Sequence, residues 1–434
     1  MLAILLACFV AYGTTIYRMP FIIARPSFIV GGLMLLQINV SAALDPTAFR
    51  VGFQRLADLT YICAAFPIAV LLWTAITPRL TTTAYDIARR CASPSRSIET
   101  QKLEKTTLAI AACSSIFLLA IYFAFVPPTA TGLYAIIFNP DEATQAREES
   151  LKLLEFSPAR YGYAFHIHLF APVIIGLVWL RKEQGAHLST IASLAGIFLI
   201  LASASLSGAR SMAASGMLTL AVTHYLRVGP QKGKYFAATV IACTLILVAL
   251  ITVARARQSG DITAQGIAES LRTRVVERIF YVPFRVGVLY NRYAQDRGEV
   301  GVRAIRPIAF LSGERYVPLP VVINRVYSQS SIKTSFSNAG FLFDFQAAFG
   351  LYTGAFVAFV CLACLDFLLL AFRWLNGYVL IALLATFITS CPSLINIAFS
   401  TAFLTNGIFL SAAWAYLAGN RLRQQSLGRN SLRE

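Results

Sequence analysis

The chain is a succession of long apolar blocks separated by short polar connections. Each block has about 20 residues, the helical length that crosses roughly 30 Å of hydrocarbon. The strands of a membrane β-barrel would alternate apolar and polar residues instead. The pattern therefore predicts an all-α, polytopic integral membrane protein with about eleven spans. We place these spans near residues 1–17, 27–44, 58–77, 107–126, 164–180, 188–206, 211–226, 235–254, 346–371, 378–395 and 399–418.

Composition supports this class and excludes a soluble fold. Of the 434 residues, 57% are hydrophobic and only 13% are charged. Ordinary soluble chains carry about 25% charged residues, so this chain has too few to cover a water-exposed surface. The formal net charge is +17. In a membrane protein such an excess is expected beside the spans, so it does not indicate a nucleic-acid partner. We treat residues 1–434 as one membrane domain.

The distribution of cations predicts the orientation. The first apolar block has no basic segment before it, and its first cation, Arg18, comes after it. This favours a span that begins outside the cytoplasm over a cleaved signal peptide. The cations of the short connections lie at alternate ends of the spans, which predicts a periplasmic N-terminus and a cytoplasmic C-terminus. These cations are Arg18, Arg25, Arg79, Arg89, Arg90, Arg96, Lys102, Lys105, Arg181, Lys182, Arg227, Lys232, Lys234, Arg373, Arg421, Arg423, Arg429 and Arg433.

Two longer loops are predicted on the outer face. The first, residues 127–163, is acidic, and residues 141–155 fit an amphipathic helix on the membrane or over a pocket. The second, residues 255–337, holds thirteen basic and six acidic residues. Its basic residues are Arg255, Arg257, Arg272, Arg274, Arg278, Arg285, Arg292, Arg297, Arg303, Arg306, Arg315, Arg325 and Lys333. The topological rule gives no reason for this positive charge, although long loops escape that rule.

Cysteine and histidine positions give no sign of a cofactor or metal. None of the eight cysteines lies in an outer loop, so no disulfide framework is predicted. Cys361 and Cys364 form a CxxC inside a predicted span, where packing is the better explanation. There is no HExxH, and His166 and His168 are two residues apart, so on a helix they cannot chelate one ion together. Either histidine is a candidate base, and an interfacial histidine bonded to water is the alternative.

The arginines of the second outer loop are its candidate chemistry. Arginine presents a planar fork of donors that matches phosphate oxygens, so a row of arginines favours a phosphate or diphosphate ligand. Residues 266–292 resemble a helix, interrupted by Pro283, on which arginines recur at steps of four and seven. They are Arg274, Arg278, Arg285 and Arg292. A solvated cationic face, partly paired with Glu269 or Glu277, is the alternative for any one of them.

Two further segments place polar residues where the chain is otherwise apolar. Arg210 follows Ser207-Gly208-Ala209 in a short outer turn, where it either binds a ligand or extends to a lipid headgroup. The segment that begins at Ser337 carries Asn338, Asp344 and Gln346 among apolar residues, and these three require partners. Gly350 and Gly354, four residues apart, are typical of close helix packing.

Together these features resemble the bacterial O-antigen polymerase family, which polymerises oligosaccharide repeat units for lipopolysaccharide and exopolysaccharide. The resemblance rests on the number of spans with one dominant outer loop, the SGAR turn at 207–210, the arginine-rich loop and GFLFDFQAAFGLYTG at 340–354. It implies a metal-independent glycosyltransferase of the bacterial inner membrane without a cofactor. Its implied partners are an undecaprenyl diphosphate-linked oligosaccharide, membrane lipids and a chain-length regulator protein.

The implied chemistry assigns roles to individual residues. Cations stabilise the diphosphate leaving group, and a base takes the proton of the acceptor hydroxyl. For the diphosphate we expect Arg210, Arg278 and Arg285, with Arg292 and Arg315 as further candidates. For the base we expect Glu277, with Asp344 and His166 as alternatives.

Three other functions compete with this interpretation. An O-antigen ligase has the same plan and donor but delivers the glycan to lipid A core. A flippase or transporter for lipid-linked glycan would place charges within its spans and show internal repeats, whereas these spans are almost free of charge and no internal repeat is found. A purely structural membrane subunit does not explain so large a cationic loop.

Overall fold

The computed structural model describes the helices and their packing for most of the chain. The described residues are 2–44, 54–94, 97–139, 157–182, 187–207, 210–258, 280–327 and 339–430, with isolated positions between 146 and 154 and between 265 and 277. All regular structure within them is helical. The predicted all-α class is therefore confirmed. The predicted amphipathic helix at 141–155 lies largely outside the described residues.

Eighteen helices are used below, and we number them in chain order. They are α1 Leu2–Arg18, α2 Pro26–Leu44, α3 Leu56–Ile76, α4 Pro78–Ala92, α5 Ile98–Phe125, α6 Gly132–Phe138, α7 Pro158–Lys182, α8 His187–Ala204, α9 Arg210–Val228, α10 Pro230–Gln258, α11 Val282–Arg297, α12 Arg306–Leu311, α13 Leu319–Tyr327, α14 Phe341–Phe349, α15 Leu351–Phe372, α16 Gly377–Ile395, α17 Phe399–Leu404 and α18 Ile408–Asn430. In α2, residues 35–39 have π-helical geometry.

Seven segments among the described residues are long and apolar enough to cross a membrane. They are α2, α3, α5, α7, α15, α16 and the stretch Phe399–Gln425, which comprises α17 and most of α18. Two shorter apolar helices, Ala3–Arg18 and Thr190–Ala204, coincide with further predicted spans. The protein is thus a polytopic helical membrane protein, and the count of eleven spans stays a prediction.

The predicted span at 346–371 starts too early, because the chain breaks at Gly350. This residue has φ +84° and separates α14 from α15. Gly340, with φ +81°, precedes α14, and a Cβ there would overlap the carbonyl oxygen of Ile395. Only glycine tolerates that combination of backbone angle and close approach. The polar residues Asp344 and Gln346 therefore lie on a separate nine-residue helix.

The described chain forms two compact units, each made of three sequence segments. Unit 1 contains residues 1–84, 268–367 and 391–403, and unit 2 contains residues 85–267, 368–390 and 404–434. The prediction of one membrane domain stays a prediction.

In unit 1, α2 packs on α3, α3 on α15, α15 on α14, and α14 on α11. Its interior is rich in aromatic side chains, and Phe28, Phe284, Phe341 and Phe343 are almost fully buried. A Cβ at Gly287 would overlap the ring of Phe343, so this glycine lets α11 approach α14 closely. Apolar side chains from several helices thus form the interior of unit 1.

In unit 2, α16 is the central helix, and every residue from Gly377 to Ser390 is buried. It packs against α7, where Gly176 lies so close to Ala382 that an added Cβ would be 3.0 Å from the Cβ of Ala382. The buried Glu104 of α5 accepts a hydrogen bond from the backbone N–H of Tyr378, at 3.0 Å. A carboxylate there satisfies a free donor in the first turn of α16.

Candidate functional site

Helix α11 places two of the predicted arginines on one face. It starts at Val282, with Pro283 in its first turn, where the missing N–H of proline is tolerated. Arg285 and Arg292 are seven residues apart, which is two helical turns, so they point in similar directions. Both side chains are partly exposed. Arg274 and Arg278 of the same predicted row lie outside the described residues.

Arg285 lies beside the predicted base. Its Nη1 is 3.6 Å from Oε2 of Glu277, and its guanidinium is 5.6 Å from the centre of the Tyr281 ring. Glu277 also has Arg272 Nε at 3.8 Å from its Oε1. These ion pairs are longer than good hydrogen bonds and partly exposed, so each contributes little to stability. Arg285 and Glu277 are thus a cation and a carboxylate side by side at a partly exposed position.

Arg292 belongs to a second polar group that joins α11 to α13. Its Nε is 3.5 Å from Oδ2 of Asp296, and its guanidinium is 5.3 Å from the centre of the Tyr327 ring. The Tyr327 hydroxyl donates to the same Asp296 oxygen at 2.9 Å. Burial, together with Asp296, raises the pKa of Tyr327 to about 12. Arg315 lies outside this group, exposed between α12 and α13.

The carboxyl of Asp344, on α14, has a strongly shifted pKa. It is partly buried among Phe341, Phe343 and Phe345. Burial raises the pKa of its carboxyl to about 8. The pKa of the buried Tyr290 of α11 is raised well above its usual value by burial and by the Asp344 carboxylate nearby. Asp344 therefore keeps its proton at neutral pH and can donate a hydrogen bond.

The side-chain amide of Gln346, on α14, has hydrogen-bond partners. Gln346 Oε1 accepts a hydrogen bond from Asn291 Nδ2 at 3.0 Å, and Gln346 Nε2 donates to the Leu351 carbonyl at 3.3 Å. All four groups are buried, so the first bond fixes α11 against α14 and the second fixes α14 against α15. Asn291 was absent from the sequence-based candidates. Asn338 lies outside the described residues.

The other two predicted site residues belong to unit 2. The ring of His166 is buried, with Nδ1 2.5 Å from the hydroxyl of Ser115 and Nε2 3.0 Å from that of Ser203. Because the Ser203 hydroxyl donates to the Ile200 carbonyl at 2.8 Å, it accepts from His166 Nε2, and the ring is held from both sides. Arg210 is the first residue of α9, and its side chain is outside the described part of the chain.

The turn before Arg210 is held by Tyr163. Its hydroxyl accepts from the backbone N–H of Ser207 at 3.1 Å and donates to the Ala204 carbonyl at 3.0 Å. The sequence pattern points to Ser207 and Arg210 but not to Tyr163, because a tyrosine in an apolar segment carries no local sign of its partners.

We compared the chain with family models, curated proteins and solved structures. No family model, curated protein or solved structure matches it. Among the described residues, no group of three or more histidine, cysteine, aspartate and glutamate side chains is placed to hold a metal ion.

Proposed function

We propose that this protein polymerises undecaprenyl diphosphate-linked oligosaccharide repeat units on the periplasmic face of the bacterial inner membrane. The observation that carries the proposal is the pairing of Arg285 with Glu277 at 3.6 Å, beside Tyr281 and on the same helix as Arg292. In this pair, the cation of Arg285 can bind the diphosphate of the donor, and the adjacent carboxylate of Glu277 can accept the proton of the acceptor hydroxyl. Both side chains are partly exposed, as a substrate requires.

The proposed reaction transfers the growing glycan to the terminal sugar of the next repeat unit. The acceptor hydroxyl oxygen forms a bond to the anomeric carbon of the donor, and the bond from that carbon to the diphosphate breaks. The diphosphate leaves with the electron pair, and Arg285 stabilises its charge, with Arg210, Arg278, Arg292 and Arg315 as further candidates. A carboxylate accepts the proton of the acceptor hydroxyl.

Of the three candidate bases, Glu277 is best suited. Asp344 is mostly protonated at neutral pH, so it serves better as a hydrogen-bond donor to the substrate than as a base. His166 is fully buried and bonded at both ring nitrogens. Glu277 is the partly exposed carboxylate among them that lies beside a cation.

The test is a polymerisation assay with purified protein in liposomes. A synthetic undecaprenyl diphosphate repeat unit is added, with and without a chelator, and the lipid-linked products are separated on a gel. A ladder of products that persists with the chelator is the expected result. If the substrate stays unchanged alone and is consumed only when lipid A core is added, the protein is a ligase and not a polymerase. If the substrate only moves from one leaflet of the liposome to the other, the protein is a flippase.

A further inference from the structure

The π-helical segment of α2, residues 35–39, carries two side-chain amides within a membrane span. The span is otherwise strongly apolar, and amides in such a setting need partners. A π-helical turn inside an α-helix is frequently a functional feature, because the extra residue disturbs the regular hydrogen bonds. The two amides are Gln37 and Asn39.

Three atoms of these amides are buried and have no hydrogen-bond partner among the residues that the structure describes. Asn39 is 1% exposed, and neither its Nδ2 nor its Oδ1 makes a hydrogen bond. Gln37 is partly buried, and its Oε1 is also buried without a bond. Buried polar atoms are nearly always satisfied by protein, water or ligand. A ligand can therefore bond to the carbonyl oxygen of Gln37, which accepts. On Asn39 it can bond to the carbonyl oxygen, which accepts, and to the NH2 group, which donates two hydrogens.

The same segment lies against the helix that carries Arg285. Helix α11 packs on residues 35–39. Two residues further along α2, the Ser41 hydroxyl donates to the Tyr281 carbonyl at 3.3 Å. The ring of Tyr281 in turn lies 5.6 Å from the guanidinium of Arg285. The free amides and the proposed diphosphate-binding arginine thus belong to one neighbourhood of unit 1.

We propose that Gln37 and Asn39 bind the hydroxyls of the sugar directly attached to the diphosphate, which rests on the function proposed above. Each hydroxyl of a sugar can both donate and accept a hydrogen bond. Two hydroxyls of one sugar can therefore satisfy the donor and the acceptor of one amide. A polyprenyl chain would leave these atoms unpaired, and an anion would leave the amide oxygens unpaired. Both Asn39 atoms are closed to solvent, so the sugar binds when one of the helices that pack on residues 35–39 moves.

The experiment compares two lipids on the full-length protein in detergent. The probes are undecaprenyl diphosphate alone and undecaprenyl diphosphate carrying one hexose, and binding is measured by native mass spectrometry. Asn39→Leu should raise the Kd of the hexose-bearing lipid about tenfold, which corresponds to a loss of about 1.4 kcal/mol in binding free energy. It should leave the Kd of the bare lipid unchanged. Leucine is close to asparagine in size and removes the unpaired amide, so the melting temperature of the ligand-free variant should rise by about 2–4 °C.

Two further variants separate the subsite from other causes. Gln37→Leu should also weaken only the hexose-bearing lipid, and it decides the question if Asn39→Leu does not fold. Leu36→Ala, at a 39% exposed residue of the same segment, is the control and should bind both lipids as the wild type does.

The outcomes distinguish this subsite from the proposed function. If both leucine variants bind the hexose-bearing lipid as tightly as the wild type, the amides hold internal water only and the subsite is wrong. If the wild type binds the bare lipid but gains nothing from the hexose, the subsite is also wrong while the diphosphate site stands. If the wild type binds neither lipid, the proposed function fails, and the subsite with it.

Discussion

Arg25 and Asp366 form an ion pair with both side chains fully buried, and Arg25 Nη2 lies 2.6 Å from Asp366 Oδ2. Arg25 Nε donates to the same oxygen at 3.0 Å. The carboxylate also accepts from the backbone N–H and the hydroxyl of Ser27 and from the indole N–H of Trp73. Two charges among apolar helices of unit 1 are thus compensated by each other and by hydrogen bonds.

Removing one member of this pair should destabilise the protein strongly. Asp366→Leu leaves the Arg25 guanidinium buried without its counter-charge, and we expect a loss of about 3–5 kcal/mol in the free energy of unfolding. Denaturant unfolding in detergent measures it. The double variant Arg25→Met with Asp366→Leu removes both charges and should recover most of the loss. A single variant as stable as the wild type would show that the pair is unimportant for stability.

Gly340→Ala should destabilise more than Gly313→Ala. The two glycines share a positive φ, +81° and +71°, so alanine meets the same kind of backbone strain at both. Gly313 has open space around it, whereas a Cβ at Gly340 would overlap the Ile395 carbonyl. We expect a cost of about 1 kcal/mol at Gly313 and at least twice that at Gly340. Thermal unfolding of both variants compares them, and equal losses would mean that the carbonyl moves aside freely.

Asp344 should make the stability of the protein decrease as the pH rises from about 4 to 8. Its pKa is about 8 in the folded protein and about 3.9 in an unfolded chain, so the folded state binds more protons in this range. Ionisation then favours the unfolded state. Asp344→Asn removes this dependence, and melting temperatures across the range should show a flatter profile for the variant. Identical profiles for both proteins would refute the raised pKa.

Arg285→Leu should lower polymerisation about 100-fold, because it removes a donor to the leaving diphosphate. Arg297→Leu is the matched control, because it removes the same charge at an exposed residue that ends the same helix. It should retain wild-type activity. The rate of ladder formation measures both, and equal rates for the two variants would exclude a specific role for Arg285.

Tyr163→Phe should destabilise unit 2 by about 1–2 kcal/mol, because the buried N–H of Ser207 loses its acceptor. Tyr17→Phe, at a tyrosine that is 89% exposed, is the control for removing a hydroxyl and should change little. Hydrogen exchange at Ser207 should also become faster in the first variant only. Unchanged exchange there would mean that another group holds the turn.

The helical membrane class and most of the predicted spans follow from local features of the sequence. Whether a helix such as Leu56–Ile76 crosses a bilayer depends on its length and hydropathy, which are local properties. The break at Gly350 was harder to predict, because glycine is also typical of close helix packing and the sequence pattern fits both. The arginines and the carboxylate of the candidate site were likewise visible as residue types, but their distances were not.

The partners of the polar groups, by contrast, become known only from the folded chain. Arg25 was grouped with cations that flank the spans, and Asp366 was one acid in an apolar helix, yet they pair across 341 positions of sequence. In the same way, Asn291 bonds to Gln346 while Asn39 is left unpaired within the described chain. The physical reason is that a span's hydropathy is nearly unaffected by one polar residue, whereas the energy of that residue depends on which atoms the folded chain brings within about 3 Å of it.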